Sequence, residues 1–334
     1  MSKLKTIPRV IISHAPTALE PMPQLSKVLN RRLYVKRDDC TGLAGGGNKT
    51  RKLEYLVAAA KAANADTLVT VGGVQSNHAR QTAAAAAKFG LRCELILEDV
   101  KGTPKSDYYK NGNVLLDTIL GAKIHWLSED TDSSEYSATL MAQLTSEGFN
   151  PYFIPVGGSN EIGSLGYVQC AREIAQQIAQ QTIKPDHIVL STGSAGTQAG
   201  LLAGLILEGL DIKVLGICVS RPAKQQVELV TQLLEKTLIL LGLDKSLAQG
   251  KVFANGDYYG VGYGVTTDAT IEAINLCAQH EGLILDPVYT GKGMSGMIDL
   301  CRKDFFAKES TILFLHTGGS QGLFAYQEIF NTSN

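Results

Sequence analysis

A lysine stands where a run of glycines meets a helix, in Gly45-Gly46-Gly47-Asn48-Lys49-Thr50-Arg51-Lys52. Leu53, Leu56, Val57 and Ala60 follow at helical spacing, and Asn48 is placed to cap the helix. Lys49 therefore falls in the first turn, where the helix dipole disfavours a cation. The placement suits a neutral, bonded amine or one facing an anion. An ordinary glycine turn before a surface helix also accounts for the stretch taken alone.

Other strand ends carry further chemistry. Ser191-Thr192-Gly193-Ser194-Ala195-Gly196-Thr197 joins an apolar strand to a helix start, so small residues let backbone N–H groups converge on an anion. It is neither a Walker loop nor a dinucleotide fingerprint. Gly72-Gly73-Val74-Gln75-Ser76-Asn77-His78 offers backbone N–H groups, a hydroxyl, an amide and an imidazole, although Ser76 could be a helix cap and nothing more. Tyr263, flanked by glycines, and Tyr289 in Asp286-Pro287-Val288-Tyr289-Thr290-Gly291-Lys292 are packed aromatics or acid/base groups. Thr317 closes the last strong strand. The six histidines are far apart and no carboxylate cluster backs a ligand pair, so no metal is expected; Gly-x-Ser-x-Gly is absent too. One lysine, one phosphate cradle, tyrosines and hydroxyls suit a cofactor carrying both an aldehyde and a phosphate.

The elements that position these residues alternate. Helices at 48–63, 77–89, 108–120, 134–148, 163–181, 197–209, 222–242, 267–281 and 292–302 separate about nine apolar strands, including Leu283-Ile284-Leu285. Strands with few charges, separated by helices, mean parallel sheets covered on both faces, and their number suggests two α/β layers. Ligands bind such sheets beyond the strands' carboxyl ends, which is where the loops above lie.

Over 334 residues, 44% hydrophobic and 19% charged with net charge −1, nothing favours nucleic acid or an anionic membrane as partner. Six scattered cysteines suggest free, mostly buried thiols. No membrane-spanning run or signal-like apolar region is visible, so the cytoplasm is the expected location.

Taken in order, the motifs around Lys49, Ser76, Gly193 and Tyr289 resemble one family over about Pro8 to Tyr326. It is the pyridoxal-phosphate family of 1-aminocyclopropane-1-carboxylate (ACC) deaminase and D-cysteine desulfhydrase, of the tryptophan-synthase-β fold type (PLP fold type II). The resemblance implies a small α/β domain at 48–162 and a large cofactor-binding α/β domain from 1–47 and 163–334, each with a mostly parallel sheet. It implies that Lys49 links the cofactor, that Ser76 lies beside the substrate Cα, and that Asn77 meets the ring 3′-oxygen. The turn Ser76-Asn77-His78 would hold the substrate carboxylate, Gly193, Ser194, Ala195, Gly196 and Thr197 the phosphate, and Tyr263 and Tyr289 the substrate side of the ring. ACC deaminases carry glutamate and leucine where Thr290 and Thr317 stand, and glutamine at His78. A glutamate near the ring nitrogen would favour its protonation, which threonine does less. The expected activity is therefore β-elimination of D-cysteine to pyruvate, ammonia and hydrogen sulfide, by a homodimer acting on a small amino acid. Thr266 replaces a usual proline, and Gly318-Gly319-Ser320-Gln321 departs from Gly-Gly-Ala-Pro. L-cysteate sulfo-lyase, ahead of ACC deaminase, is the alternative; a cofactor-binding regulatory protein is the non-enzymatic one.

Overall fold

The computed structural model describes residues 3–100, 102, 103 and 107–330. Its strands are β1 (Leu19–Pro21), β2 (Arg32–Lys36), β3 (Thr67–Gly73), β4 (Arg92–Glu98), β5 (Lys123–Leu127), β6 (Pro151–Ile154), β7 (His187–Thr192), β8 (Lys213–Cys218), β9 (Phe253–Asn255) and β10 (Thr311–Leu315). The α-helices are α1 (Pro23–Leu29), α2 (Lys49–Ala62), α3 (Asn77–Phe89), α4 (Asn113–Ile119), α5 (Ser133–Ser146) and α6 (Glu161–Gln181). They continue with α7 (Gly196–Leu207), α8 (Ala223–Leu241), α9 (Asp268–Glu281), α10 (Thr290–Arg302) and α11 (Ser320–Leu323).

Two sheets result. One has the order β1-β2-β10-β7-β8-β9 and the other β5-β4-β3-β6. Apart from the antiparallel pair β1–β2, neighbouring strands run parallel. Successive side chains of a strand face opposite ways, and the smaller sheet uses this directly. Leu68, Leu95 and Ile154 pack with Leu53, Leu56 and Ala79 of α2 and α3, while Val69, Val71 and Ile96 pack with Leu140 and Leu144 of α5. The larger sheet is covered likewise: Ile188 and Leu190 face α6, α7 and α8, and Val189 and Ile217 face α9 and α10. Both sheets are thus buried on two faces, which is why the inner strands β3, β7 and β10 carry no Asp, Glu, Lys or Arg.

Some boundaries differ from the sequence reading. The helix expected from Tyr108 begins at Asn113, because Gly112 turns the chain with φ +60. Leu283–Leu285 is not a strand: Leu283 and Leu285 are buried in the core, but the segment has no ladder partner. The three-residue strands β1 and β9, on the edges of the larger sheet, were not foreseen. Cys40 is exposed and the other five cysteines are buried, all free.

Candidate active site

The carboxyl ends of β3, β6, β7 and β10 open onto two adjoining cavities that share Lys49, His78, Gly193, Ser194 and Tyr289. One is a narrow cleft of about 30 Å³ and the other a wider pocket of about 420 Å³.

Lys49 is the first residue of α2, as its spacing suggested. Asn48 occupies the cap position but its side chain does not cap the helix. Its amide instead donates to Thr197 Oγ1 at 2.9 Å, and its Oδ1 accepts from Lys49 Nζ at 3.0 Å. One side chain therefore ties the lysine to the start of α7. Loss of water pushes the Lys49 amine down to about 8; Asp286 opposes this shift and Arg80 adds to it. A buried amine near a cation and a helix N-terminus loses its proton readily.

The glycine loop turns tightly at the mouth of the narrow cleft. Ala195 is held at φ +73, outside the region open to most side chains, and α7 starts at Gly196 with its N-terminus towards the narrow cleft. A Cβ on Gly196 would lie 2.7 Å from Ser159 Oγ and 2.8 Å from Lys52 Nζ, so a larger residue would push both groups aside. Lys52 was quoted in its motif but given no role by sequence reading. It is fully buried, donates to Gly157 O and Ser159 Oγ at 3.0 Å each, and has no carboxylate partner among the described residues. Burial, with Lys49 adding to it, drives its amine well below the ordinary range. An anion bound between this amine and the N-terminus of α7 would favour its charged form.

Ser76 caps α3, its Oγ accepting from Ala79 N at 3.2 Å, and it also lines the wider pocket. A Cβ on Gly72 would strike that hydroxyl at 2.5 Å. Asn77 Oδ1 accepts from Asn113 Nδ2 at 3.0 Å and Arg80 Nη1 at 3.2 Å. With the oxygen doubly engaged, the Asn77 amide N–H is the end left for a ligand. Gly319, at φ +113, keeps that side open, since its Cβ would lie 2.9 Å from Asn77 Nδ2.

His78 follows from hydrogen-bond bookkeeping. Thr70 Oγ1 donates to Ile154 O at 2.7 Å, so it must accept from His78 Nε2 at 2.8 Å. The ring is neutral, its pKa driven well below normal by burial, then by Lys49 and Lys52. Nδ1 is left as a buried acceptor without a partner. Such a ring cannot donate to a carboxylate; at this turn the backbone N–H groups, the Ser76 hydroxyl and the Asn77 amide can.

Tyr263 and Tyr289 both line the wider pocket, their hydroxyls 2.5 Å apart and their rings edge to face at 5.7 Å. Burial, the largest cause for each, raises both pKa values, so both phenols remain protonated. Thr317 lines the narrow cleft. Thr290 does not line either cavity: it is fully buried, and its hydroxyl donates to Asp286 Oδ1 at 2.6 Å and accepts from Asp286 N at 2.8 Å.

Comparisons with known proteins bear on the family and the fold. A family model described as pyridoxal-phosphate dependent enzyme matches residues 11–318. The D-cysteine desulfhydrases of Salmonella choleraesuis (strain SC-B67) and Salmonella newport (strain SL254) are each 46% identical over 323 residues, 97% of this chain and 97% of theirs. A crystal structure described as an ACC deaminase homologue aligns with TM-score 0.88 at 39% identity, covering 98% of this chain and 96% of that one. A threonine deaminase structure, at 17% identity and TM-score 0.64 over 91% of this chain and 92% of its own, shares the fold. The chain belongs to the family of pyridoxal-phosphate-dependent enzymes.

Proposed function

We propose that this pyridoxal-phosphate-dependent enzyme eliminates the β-substituent of D-cysteine, releasing hydrogen sulfide, pyruvate and ammonia. Support comes from the two Salmonella relatives named for that activity and from a site whose groups match its steps. The residues fit the cofactor: Lys52 is a buried amine with no carboxylate beside it among the described residues, Gly196 leaves room beside it, and Lys49 supplies a deprotonable amine. Gly193 to Thr197 would hold the phosphate, Lys49 would take the aldehyde, and Asn77 N–H and Thr317 would border the ring.

Bound there, pyridoxal phosphate supplies an electron sink for the electrons of the substrate's Cα–H bond. The chain's own groups do the rest. The free Lys49 amine, with its lowered pKa, is a base for the α-proton, and Ser76 is the other candidate for that role. Backbone N–H groups at the start of α3 favour the substrate carboxylate. The paired Tyr263 and Tyr289 phenols are positioned to give a proton to sulfur as the Cβ–S bond breaks, with Cα–H electrons forming the new double bond. The enamine product then takes up water to give pyruvate and ammonia. Thr290 acts on this site through Asp286 rather than by touching the cavity. We also infer a homodimer and a cytoplasmic location, on the family resemblance alone.

The observation that carries the reading is the Lys49 amine facing the cradle. Purified protein with pyridoxal phosphate should show a visible absorbance band that borohydride bleaches and that Lys49→Ala abolishes. It should release sulfide and pyruvate in equal amounts from D-cysteine. Sulfite release from L-cysteate without D-cysteine turnover would transfer the assignment to the sulfo-lyase.

A further inference from the structure

Tyr263 sits on an irregular segment, residues 256–266, between β9 and α9. Its tip is open to solvent, with Val261 87% exposed. A phenol that must stay within 2.5 Å of a partner hydroxyl needs something firmer than a free loop. Packing against Tyr289 supplies part of this.

The rest comes from Lys292, a residue of the Asp286–Lys292 motif to which the reaction gives no task. Its side chain is fully buried, and Nζ donates to Tyr259 O and Gly262 O at 2.8 Å each. Among the described residues, these are the only hydrogen bonds from the backbone of residues 258–266 to another element. The other hydrogen bonds of residues 258–266 to another element, among the described residues, are from side chains, Tyr258 OH donating to Asp299 Oδ2 at 2.7 Å and the Tyr263–Tyr289 pair. All reach one stretch of chain, since Tyr289 precedes α10 and Lys292 and Asp299 lie on it. Among the described residues the amine has no carboxylate in contact, and burial lowers its pKa to about 8 against the opposing pull of Asp286. A buried amine bonded only to carbonyls is weak as a source of stability, because an apolar side chain would fill the space without desolvating a charge. As a fastener between two specified carbonyls it has no apolar substitute.

We propose that Lys292 is a positioning residue that straps the 259–262 backbone to α10 and so holds the Tyr263 hydroxyl against Tyr289. Its catalytic consequence rests on the D-cysteine reading; its structural one does not. A misplacement of about 1 Å at a reacting group can cost about 100-fold in rate, so Lys292→Met should lower kcat about tenfold or more while KM changes much less. Because it acts through Tyr263, the double variant with Tyr263→Phe should be no slower than Tyr263→Phe alone, within about twofold. Chymotrypsin should cut the Lys292→Met holoenzyme within residues 256–266 about tenfold faster than wild type, with the far-UV circular dichroism unchanged.

Multiplying kinetic effects, or cleavage at the wild-type rate, would overturn the strap. Should Lys292→Met not fold, Lys292→Gln, which keeps one N–H donor group, carries the same tests. If wild type leaves D-cysteine untouched, the substrate reading fails, and the cleavage rates still decide the strap.

Discussion

At the scale of single residues, the proposed reaction asks two lysines three positions apart on α2 to do opposite things. In it Lys49 gives up its proton, whereas Lys52 serves as a cation or strong donor beside an anion. Burial depresses both, but Lys49 has Asp286 acting against the shift while Lys52 has only its neighbour's repulsion. Without the cofactor, Lys52 is therefore the more heavily penalised group, and a bound phosphate is what would restore its charge. The prediction at this scale concerns Lys49. Only the neutral amine attacks an aldehyde, and its pKa lies near 8 rather than 10.5. Apo-protein mixed with pyridoxal phosphate should regain its visible band at a rate that climbs about tenfold per pH unit from pH 6 and levels off above about pH 8. A rate still climbing steeply at pH 9.5 would mean that the amine is fully solvated. Sequence alone reached Lys49 because a cation in a first helical turn is an oddity. It passed over Lys52, because burial beside a distant Gly157-Gly158-Ser159 loop leaves no mark on local spacing. Arg80, which fixes the face of Asn77, escaped for the same reason.

Whole elements explain why those side chains stand where they do. Three helices that begin at the site are started differently. Ser76 caps α3 with its own hydroxyl, α7 begins after a residue with positive φ, and α10 is started by Asp286, four residues before its first turn. That carboxylate accepts from the backbone N–H groups of Val288, Tyr289 and Thr290 and from the Thr290 hydroxyl. A single buried carboxylate thus shapes the turn that carries Tyr289 and the helix that carries Lys292. Thr290→Val keeps the shape but leaves Asp286 N without its acceptor and one carboxylate oxygen short of a donor. It should cost about 1–3 kcal/mol in urea unfolding, the usual charge for an unsatisfied buried group. It should also weaken activity through Tyr289 rather than through the cofactor ring. An unchanged unfolding midpoint would show that the hydroxyl carries no such burden. The same stretch marks the limit of sequence reading. Alternating strands and helices were legible from their periods, as was the site's place at strand ends. Leu283–Leu285 has a strand's composition, but pairing is a property of neighbours. The segment lies beside the core with His316 Nε2 donating to Ile284 O at 3.2 Å where a ladder would be.

For the molecule as a whole, the site is a joint between its two sheets. Lys49, Lys52, Ser76, Asn77 and His78 come from helices α2 and α3, packed on the four-stranded sheet. The cradle and Thr317 follow strands β7 and β10 of the six-stranded sheet, and Tyr289 leads into α10 packed on it. The Asn48–Thr197 bond already crosses that joint. A ligand bound to both sides stabilises the folded chain in proportion to its affinity, by about 2.7 kcal/mol at 100 times its Kd. For a chain of this size that is a rise of roughly 5 °C in Tm. Pyridoxal, which has the aldehyde but no phosphate, engages Lys49 yet leaves the cradle and Lys52 unfilled, so at equal concentration it should raise Tm by less than half as much. Lys52→Met should narrow the gap between the two ligands, mainly by weakening the phosphate form, because the methionine fills the same space without a charge. If Lys52→Met kept the full wild-type preference for the phosphorylated ligand, the anion would be held by the N–H groups of α7 alone, and the two sheets would be coupled through Lys49 and Asn48 only.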